Sequence, residues 1–237
     1  MLVVRTPAAL SNDTHIQVVP VATSQSGFVI GQSVMDAQTR IVERKEHVFF
    51  EGDDATQIFK VEGGHVCIYR MLADGRRQIV DFAFPGEFIG LGAARQHSLN
   101  AQALDRTRLR CLPTSKLRNI IRLHPGLGLE LYQAMSSELS ATRRLLVAVS
   151  QRSAKERVAG FLLELSDRYA RRNDDASTIV LPMTRADIAD YLGLTIETVS
   201  RMFTKLRKDG LINIEHCILI TLNDMDALAE VAEGKSD

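Results

Sequence analysis

The sequence has no apolar run long enough to cross a membrane. A membrane-spanning helix needs about 20 consecutive apolar residues, and no stretch of the 237 residues approaches that length. Residues 1–30 scatter Arg5, Asp13 and His15 among apolar side chains, unlike the apolar segment of a secretory signal peptide. We therefore expect a cytoplasmic protein that makes no contact with a membrane.

Cysteine is also scarce. The three cysteines, Cys67, Cys111 and Cys217, are odd in number and far apart in the chain. The sequence therefore contains neither a disulfide framework nor a paired metal-binding motif. We expect three reduced thiols, no metal site and no bound cofactor.

An excess of either charge is absent, and so are the common catalytic motifs. The charges of the 29 basic and 29 acidic residues cancel, so a surface that binds a polyanion must be a local cluster of basic residues.

No GxSxG, glycine-rich phosphate loop or HExxH motif occurs, and we expect the protein not to be an enzyme. A cupin-like metal enzyme is a remote alternative, but His47 and His65 are too isolated to suggest a histidine cluster.

The first positive signal is a series of short strand patterns between Ile41 and Pro113. β-branched and aromatic residues are concentrated at 48–50, 58–61, 66–69 and 78–82. Glycine-containing pairs separate these runs, and Asp74-Gly75 is a good hairpin turn. Strands at this spacing predict a small β-barrel or jelly roll.

Past Pro113 the apolar spacing becomes helical. One narrow stripe recurs at alternating steps of three and four over roughly three heptads. Its members are Tyr132, Met135, Leu139, Thr142, Leu146 and Val149. Such a stripe fits either the coiled coil of a homodimer or a helix that faces the core of its own subunit. The narrowness favours the homodimer, since a core-facing helix usually carries a wider apolar face.

The patterns divide the chain into four segments. A second helical pattern covers 154–169, a polar loop follows at 171–177, and we place a domain boundary near Ser150. The expected α+β organisation is a loosely ordered arm (1–24), a β-barrel (25–124), a dimerisation helix (125–150) and a C-terminal domain (151–237).

Residues 184–203 carry the pattern of two short helices joined by a tight turn. Thr184 can cap the first helix, with Asp187 completing a variant of the capping box. Gly193 can take positive φ and end that helix, and Thr195 begins a second one that stops at Asp209-Gly210. This arrangement predicts a helix-turn-helix. Its core is expected from Ile188, Ala189, Leu192, Leu194, Val199, Met202 and Leu206.

The outward face of the second helix suits the reading of base pairs. Its residues are Glu197, Ser200, Arg201, Lys205 and Lys208, and no acid interrupts 201–208. An arginine can donate two hydrogen bonds to guanine, and a glutamate can accept one from cytosine. We therefore predict double-stranded DNA as a partner, and Glu197 and Arg201 can also hold each other in position. A solvated charged helix face is the alternative.

Two strand patterns, 211–215 and 218–222, follow this helix with a turn at His216-Cys217. They predict a winged variant of the motif. Cys217 would then lie beside the DNA, where oxidation of its thiol to a sulfinate would place negative charge near phosphates. An unreactive thiol is the alternative.

The segment from Met183 to Arg201 resembles the CRP/FNR superfamily, in particular its FNR/FixK branch. The spacing of Glu197, Ser200 and Arg201 matches the base-reading residues of that branch, and 85–90 resembles the ligand-loop motif of the family's sensor barrel. The resemblance covers about residues 25–232. It implies a cyclic-nucleotide-binding-type jelly roll, a long dimerisation helix and a C-terminal winged helix-turn-helix that binds DNA.

The resemblance further implies a homodimer on a TTGAT-N4-ATCAA-like palindrome, acting mainly as an activator with RNA polymerase. Arg201 would contact the guanine, Glu197 the cytosine of the opposite strand or a neighbouring adenine, and Ser200 would lie near a thymine. A twofold dimer also requires a DNA site with dyad symmetry. Contacts to the DNA backbone would come from Thr184, Arg185, Thr195, Thr198, Lys205 and Lys208.

The barrel departs from the ligand-binding members of that family. Cyclic-nucleotide members hold the phosphate with an Arg-Ser pair, where this sequence has Leu99-Asn100-Ala101 and no cation. An iron-sulfur cluster of the FNR kind needs N-terminal cysteines, and residues 1–40 have none. We expect FixK-like DNA binding without a small-molecule effector. A regulator gated by haem or another small molecule is the alternative, and His47, His65, His97 or His124 could then bind the haem.

Overall fold

The computed structural model describes residues 38–92, 94–172 and 174–235. Its α+β architecture agrees with the prediction, because strands dominate up to Pro113 and helices after it. The predicted N-terminal arm, residues 1–24, lies outside the described residues. Within the described part of the chain, no helix combines the length and the apolar character that spanning a bilayer demands.

Eight strands form the described N-terminal half. They are β1 (Thr39–Val42), β2 (His47–Phe49), β3 (Gln57–Gly63), β4 (Val66–Met71), β5 (Arg77–Ala83), β6 (Phe88–Ile89), β7 (Asn100–Ala103) and β8 (Thr107–Pro113). Two antiparallel four-stranded sheets result, with the orders β1-β8-β3-β6 and β2-β7-β4-β5. The four predicted runs fall on β2 to β5. The predicted hairpin turn joins β4 to β5, and Gly75 there has φ 82°.

The two sheets enclose an apolar core. Val61 and Leu109 come from one sheet and Val66 and Ala101 from the other, and all four are essentially inaccessible to solvent. Side chains from the inner faces of two sheets pack in this way in a jelly roll. The barrel therefore has a core of its own.

Two helices follow the barrel, α1 (Thr114–Leu123) and the long α2 (Pro125–Gln151). Leu127 and Leu131 near the start of α2 pack with Ile58, Phe88 and Leu112 of the barrel. This contact fixes one side of α2 against its own subunit. The predicted stripe begins at Tyr132 and lies on another side of the helix.

The C-terminal part combines helices with a small antiparallel sheet. Its elements are α3 (Ala154–Arg171), β9 (Thr178–Val180), α4 (Arg185–Leu192), α5 (Ile196–Lys208), β10 (Ile212–Glu215), β11 (Leu219–Leu222) and α6 (Met225–Ala232). The sheet order is β10-β11-β9. The sequence pattern predicted β10 and β11 but gave no strand at β9, which has only three residues and forms a strand by pairing with β11.

The barrel and the helical part share a continuous core. Ile79 and Phe82 of β5 are buried against the C-terminal part, and the Phe82 ring lies 5.4 Å from that of Tyr191 in α4, between centroids. At the edge of this contact, Arg77 of β5 forms ion pairs with Asp187 and Asp190 of α4. The first helix of the predicted DNA-binding motif is therefore docked on the barrel.

Candidate nucleic-acid interface

The first helix of the motif, α4, begins with a complete capping box. The Thr184 hydroxyl accepts a hydrogen bond from the Asp187 amide at 3.2 Å, and the Asp187 carboxylate accepts one from the Thr184 amide at 2.8 Å. Gly193 ends the helix with φ 63°, a conformation that costs glycine little. The sequence prediction of both ends of α4 is confirmed.

The second helix, α5, is fixed by a cap and a buried stripe. The Thr195 hydroxyl accepts a hydrogen bond from the Thr198 amide at 3.2 Å. Val199, Phe203 and Leu206 are buried at helical spacing against α3 and α4. Of the predicted core residues, Ile188, Ala189, Leu192, Val199 and Leu206 are buried, whereas Leu194 and Met202 are only partly so.

Phe203 was absent from the predicted core, although its side chain is only 2% exposed. The signal that could have found it is the spacing of Val199, Phe203 and Leu206 at i, i+4 and i+7. Met202, a predicted core residue, is only partly buried and lies toward the edge of the buried face.

The opposite face of α5 is open to solvent, as predicted. Glu197, Ser200, Arg201, Lys205 and Lys208 are all exposed. These side chains are free of the protein core and can meet another molecule. Their arrangement on one capped, well-packed helix is the geometry that base reading in the major groove requires.

Among the described residues no ion pair joins Glu197 to Arg201, although the two charges still attract each other. Arg201 donates from Nη2 to the Thr198 hydroxyl at 3.1 Å. The pKa of Glu197 is lowered first by its own backbone amide and next by the Thr195 hydroxyl. Glu197 therefore stays ionised near neutral pH and is an acceptor only. The groups at the cap act on it most strongly, and the charge of Arg201 adds a smaller effect in the same direction.

Ile196 is a surface residue that the sequence reasoning did not single out. It is the first residue of α5, beside Glu197, and its side chain is 48% exposed. A large apolar side chain at the tip of a base-reading helix can contact a thymine methyl group. Its place one residue before Glu197 was the available signal.

The polar groups proposed for the DNA backbone differ in how accessible they are. Thr184 and Thr195 are exposed and Thr198 is half-buried. Arg185 is also half-buried, and its guanidinium lies over the Phe203 ring, 3.5 Å from the centroid. Burial lowers the pKa of Arg185.

The wing turn is formed as predicted, between β10 and β11. His216 and Cys217 both have positive φ, 50° and 64°, which is uncommon for residues other than glycine. Both side chains are exposed. Cys217 is therefore accessible, unlike Cys67 and Cys111, which are buried.

The predicted stripe on α2 is exposed in the isolated chain. Tyr132, Met135, Leu139 and Leu146 are each more than half exposed, and Thr142 is exposed as well. The side chain of Val149 lies outside the described residues. Of the two readings of the stripe, a helix that faces its own core is thus wrong for the five described positions.

A cleft of about 1000 Å³ lies between α2, α3 and the barrel loop that follows β5. Of the predicted triplet, only Leu99 lines it, because Asn100 and Ala101 are buried in β7. The loop presents His97 and Ser98 at that place instead. His97 is stacked on the Phe49 ring at 3.7 Å between centroids, so its ring is held in the barrel.

The arginines of the cleft belong to α3 and its ends. Arg168, which is nearly buried, forms ion pairs with Asp81 at 2.7 Å, Glu164 at 3.1 Å and Glu87 at 3.3 Å. Among the described lining residues of the barrel loop there is no arginine or lysine. A phosphate held against that loop would lack a cationic partner, so the residues present fit a cyclic nucleotide poorly.

Comparisons with known proteins agree with this geometry. The profile of the Crp-like helix-turn-helix domain matches residues 156–231, and that of the cyclic nucleotide-binding domain matches residues 39–124. The nitrogen fixation regulation protein FixK of Bradyrhizobium diazoefficiens is 42% identical over 171 residues, which are 72% of each chain. The chain belongs to the CRP/FNR family.

This CRP/FNR-family chain is a FixK-like, DNA-binding transcription regulator. It is also 33% identical to the anaerobic regulatory protein of Haemophilus influenzae, over 86% of this chain and 82% of that protein. The solved structure of FixK2 from Bradyrhizobium japonicum is similar with a TM-score of 0.75 and 33% identity, covering 82% of this chain and 96% of FixK2. These relatives are transcription regulators rather than enzymes.

Proposed function

We propose that this regulator binds a TTGAT-N4-ATCAA-like palindrome as a homodimer and acts, mainly as an activator, with RNA polymerase in the cytoplasm. The observation that carries the proposal is the exposed face of α5, where Glu197, Ser200 and Arg201 project from a capped and well-packed helix. A helix with these side chains in its N-terminal half matches the way in which a recognition helix reads bases.

Each exposed side chain at the start of α5 suits one kind of base contact. Arg201 can donate two hydrogen bonds to guanine O6 and N7, and ionised Glu197 can accept from the cytosine N4 or adenine N6 amino group. Ser200 can bond to a neighbouring base, and the exposed Ile196 adds an apolar surface for a thymine methyl.

Contacts to the DNA backbone supply affinity without sequence information. We assign them to Thr184 and Thr195 at the helix starts, to Thr198, and to Lys205 and Lys208 farther along α5. The family resemblance adds Arg185, whose guanidinium is stacked on the Phe203 ring.

The homodimer would form through α2. Its exposed stripe, Tyr132, Met135, Leu139, Thr142 and Leu146, with Val149 in continuation, has the spacing of a coiled-coil seam. Pairing two such helices removes these apolar side chains from water and places two copies of α5 about a twofold axis. A palindromic DNA site follows from that symmetry.

We propose that DNA binding needs no small-molecule effector. The described residues with which the barrel loop lines the cleft include no cation for a cyclic nucleotide, and the Arg168 guanidinium is already shared among three carboxylates. A ligand-gated regulator is the second candidate, because the cleft is large and His97 lines it. The absorption spectrum of the purified protein tests the haem-bound form of this candidate, since bound haem would give a strong visible band.

The test of the base-reading assignment compares Arg201→Ala with Lys205→Ala on the palindrome and on random DNA. We expect Arg201→Ala to lose about 1–3 kcal/mol of binding free energy on the palindrome and to relax discrimination at the guanine. Lys205→Ala should weaken binding to both duplexes alike and reduce the salt slope by about one. Equal losses on both duplexes for Arg201→Ala would contradict the assignment.

A further inference from the structure

Arg185 stands at the meeting point of three parts of the DNA-binding domain. It is the first residue of α4, and its guanidinium lies 3.5 Å from the centroid of the Phe203 ring in α5. Phe203 is almost fully buried, so the guanidinium covers the accessible face of its ring. Cys217 at the wing turn is close enough for a thiolate there to favour the charged form of Arg185.

We propose that Arg185 is a positioning residue, whose stack on Phe203 fixes the orientation of α5 relative to α4, and not primarily a ligand of a DNA phosphate. The proposal rests on α5 being the base-reading helix. It replaces the backbone contact that the family resemblance implied for Arg185 with a role inside the protein.

The chemistry of the pair requires arginine and an aromatic ring. A guanidinium is flat, weakly hydrated and able to lie face to face on a ring, whereas a lysine ammonium is compact and strongly hydrated. The attraction to the ring grows when the cation is partly withdrawn from water, and Arg185 is half-buried. A distance of 3.5 Å between the guanidinium carbon and the ring centroid is van der Waals stacking distance, so the two groups leave no room for a water molecule between them.

The position of the pair explains why it affects base reading. Phe203 lies two residues after Arg201 on the same helix. Val199 and Leu206 anchor α5 at its buried side, but a rotation of the helix about its own axis would still move the Arg201 guanidinium. Productive hydrogen bonds tolerate only about 0.5 Å of displacement, whereas a lysine on a flexible stem can follow a phosphate. Loosening the stack should therefore harm specific binding more than random binding.

The test uses Arg185→Lys, Phe203→Leu and the double variant in the full-length protein. The specific duplex is selected from a random library with the wild-type protein, so the test does not depend on the TTGAT palindrome. We expect each single variant to weaken specific binding roughly 3- to 30-fold. Binding to random DNA and the salt slope should stay as in the wild type, and the double variant should be no weaker than the worse single variant.

Arg185→Met and Lys205→Ala complete the comparison. If Arg185→Lys binds like the wild type while Arg185→Met resembles Lys205→Ala, weakening both duplexes and reducing the salt slope by about one, Arg185 is a phosphate ligand and the proposal is wrong. Strictly additive losses in the double variant would also overturn it. If selection returns no preferred site, the proposed function fails, and the stack is then tested as the coupling of Arg185→Lys and Phe203→Leu in the free energy of unfolding, where zero coupling rejects it.

Discussion

At the residue scale, the three cysteines differ sharply in their surroundings. Burial raises the pKa of the Cys67 thiol to about 12, and burial also raises the pKa of Cys111. Thiols with raised pKa values form little thiolate and react slowly. Cys217 is exposed at the wing turn, so an oxidant in solution should reach this thiol first.

We expect hydrogen peroxide to weaken DNA binding through Cys217. Oxidation of the thiol to a sulfinate adds a negative charge at the wing, and that charge would repel nearby phosphates. The measurement is a gel-shift titration before and after brief peroxide treatment, with Cys217→Ser as the variant and Cys111→Ser as the matched control. Equal weakening of the wild type and Cys217→Ser would show that the wing thiol is not involved.

Single residues were predictable from sequence where a motif constrains them. Glu197, Ser200 and Arg201 were predicted to face outward, and they do, because the helix period places them away from the buried stripe of α5. Their contacts with bases remain a prediction. The stack of Arg185 on Phe203 could not be predicted, since it joins two helices through side-chain conformations that leave no periodic trace.

At the element scale, the start of α4 depends on the carboxylate of Asp187, which completes the capping box and also pairs with Arg77. Burial pushes the pKa of Asp187 up, but hydrogen bonds from Thr184 and Arg77 outweigh burial, so the pKa lies below its usual 3.8. A carboxylate with a depressed pKa contributes stability above its unfolded-state value. It loses that contribution as the pH falls through the lower folded-state value.

We expect Asp187→Asn to lower the free energy of unfolding by roughly 1–3 kcal/mol at pH 7. The wild type should lose this advantage as the pH falls below about 4, so the two stability curves should converge in acid. Urea unfolding followed by circular dichroism at several pH values measures both curves. Parallel curves would mean that Asp187 does not titrate as its hydrogen bonds imply.

The stripe on α2 gives a second prediction at this scale. If the protein dimerises through α2 as proposed, Leu139→Glu should make it a monomer, because two carboxylates would face each other across the seam. Met71→Glu is a matched control, since Met71 is 50% exposed and Leu139 is 51% exposed. Light scattering coupled to gel filtration gives the mass. A dimeric Leu139→Glu protein would place the interface elsewhere.

At the scale of the whole molecule, one buried arginine joins the two parts of the chain. Arg168 of α3 donates to Asp81 and to the Phe82 carbonyl of β5, and it pairs with Glu87 and Glu164. Burial acts to lower the pKa of Arg168, but the three carboxylates outweigh this effect and keep it charged. The positive charge of Arg168 therefore balances the negative charges of Asp81, Glu87 and Glu164.

We expect Arg168→Met to destabilise the protein by up to about 3–5 kcal/mol. The substitution keeps much of the side-chain volume but leaves three half-buried carboxylates without their cation. Arg76→Met is the control, and it should have no measurable effect, since Arg76 is exposed in the β4–β5 turn and its ion pair is with Asp74, which is exposed as well. Chemical denaturation measures both. A loss for Arg168→Met no larger than the control's would mean that the cluster adds nothing to stability.

The docking of the two parts was beyond sequence reasoning. The barrel, the long helix and the winged motif each follow from local periodicity, turn residues and caps, and these were predicted. Arg77 and Asp187 are separated by 110 residues. The local sequence around either residue does not predict that the two are in contact. Such contacts depend on the path of the whole chain, which short-range patterns do not encode.

The shared core makes the barrel a structural partner of the DNA-binding helices rather than a separate appendage. Separating the barrel from the C-terminal part would expose the rings of Phe161 and Tyr191, which now pack near Phe82, to water. It would also remove Arg77 from the carboxylates of α4. A movement of the recognition helices away from the barrel would require the same loss of apolar contacts and ion pairs. The recognition helix can therefore reorient relative to the barrel only if this apolar interface opens.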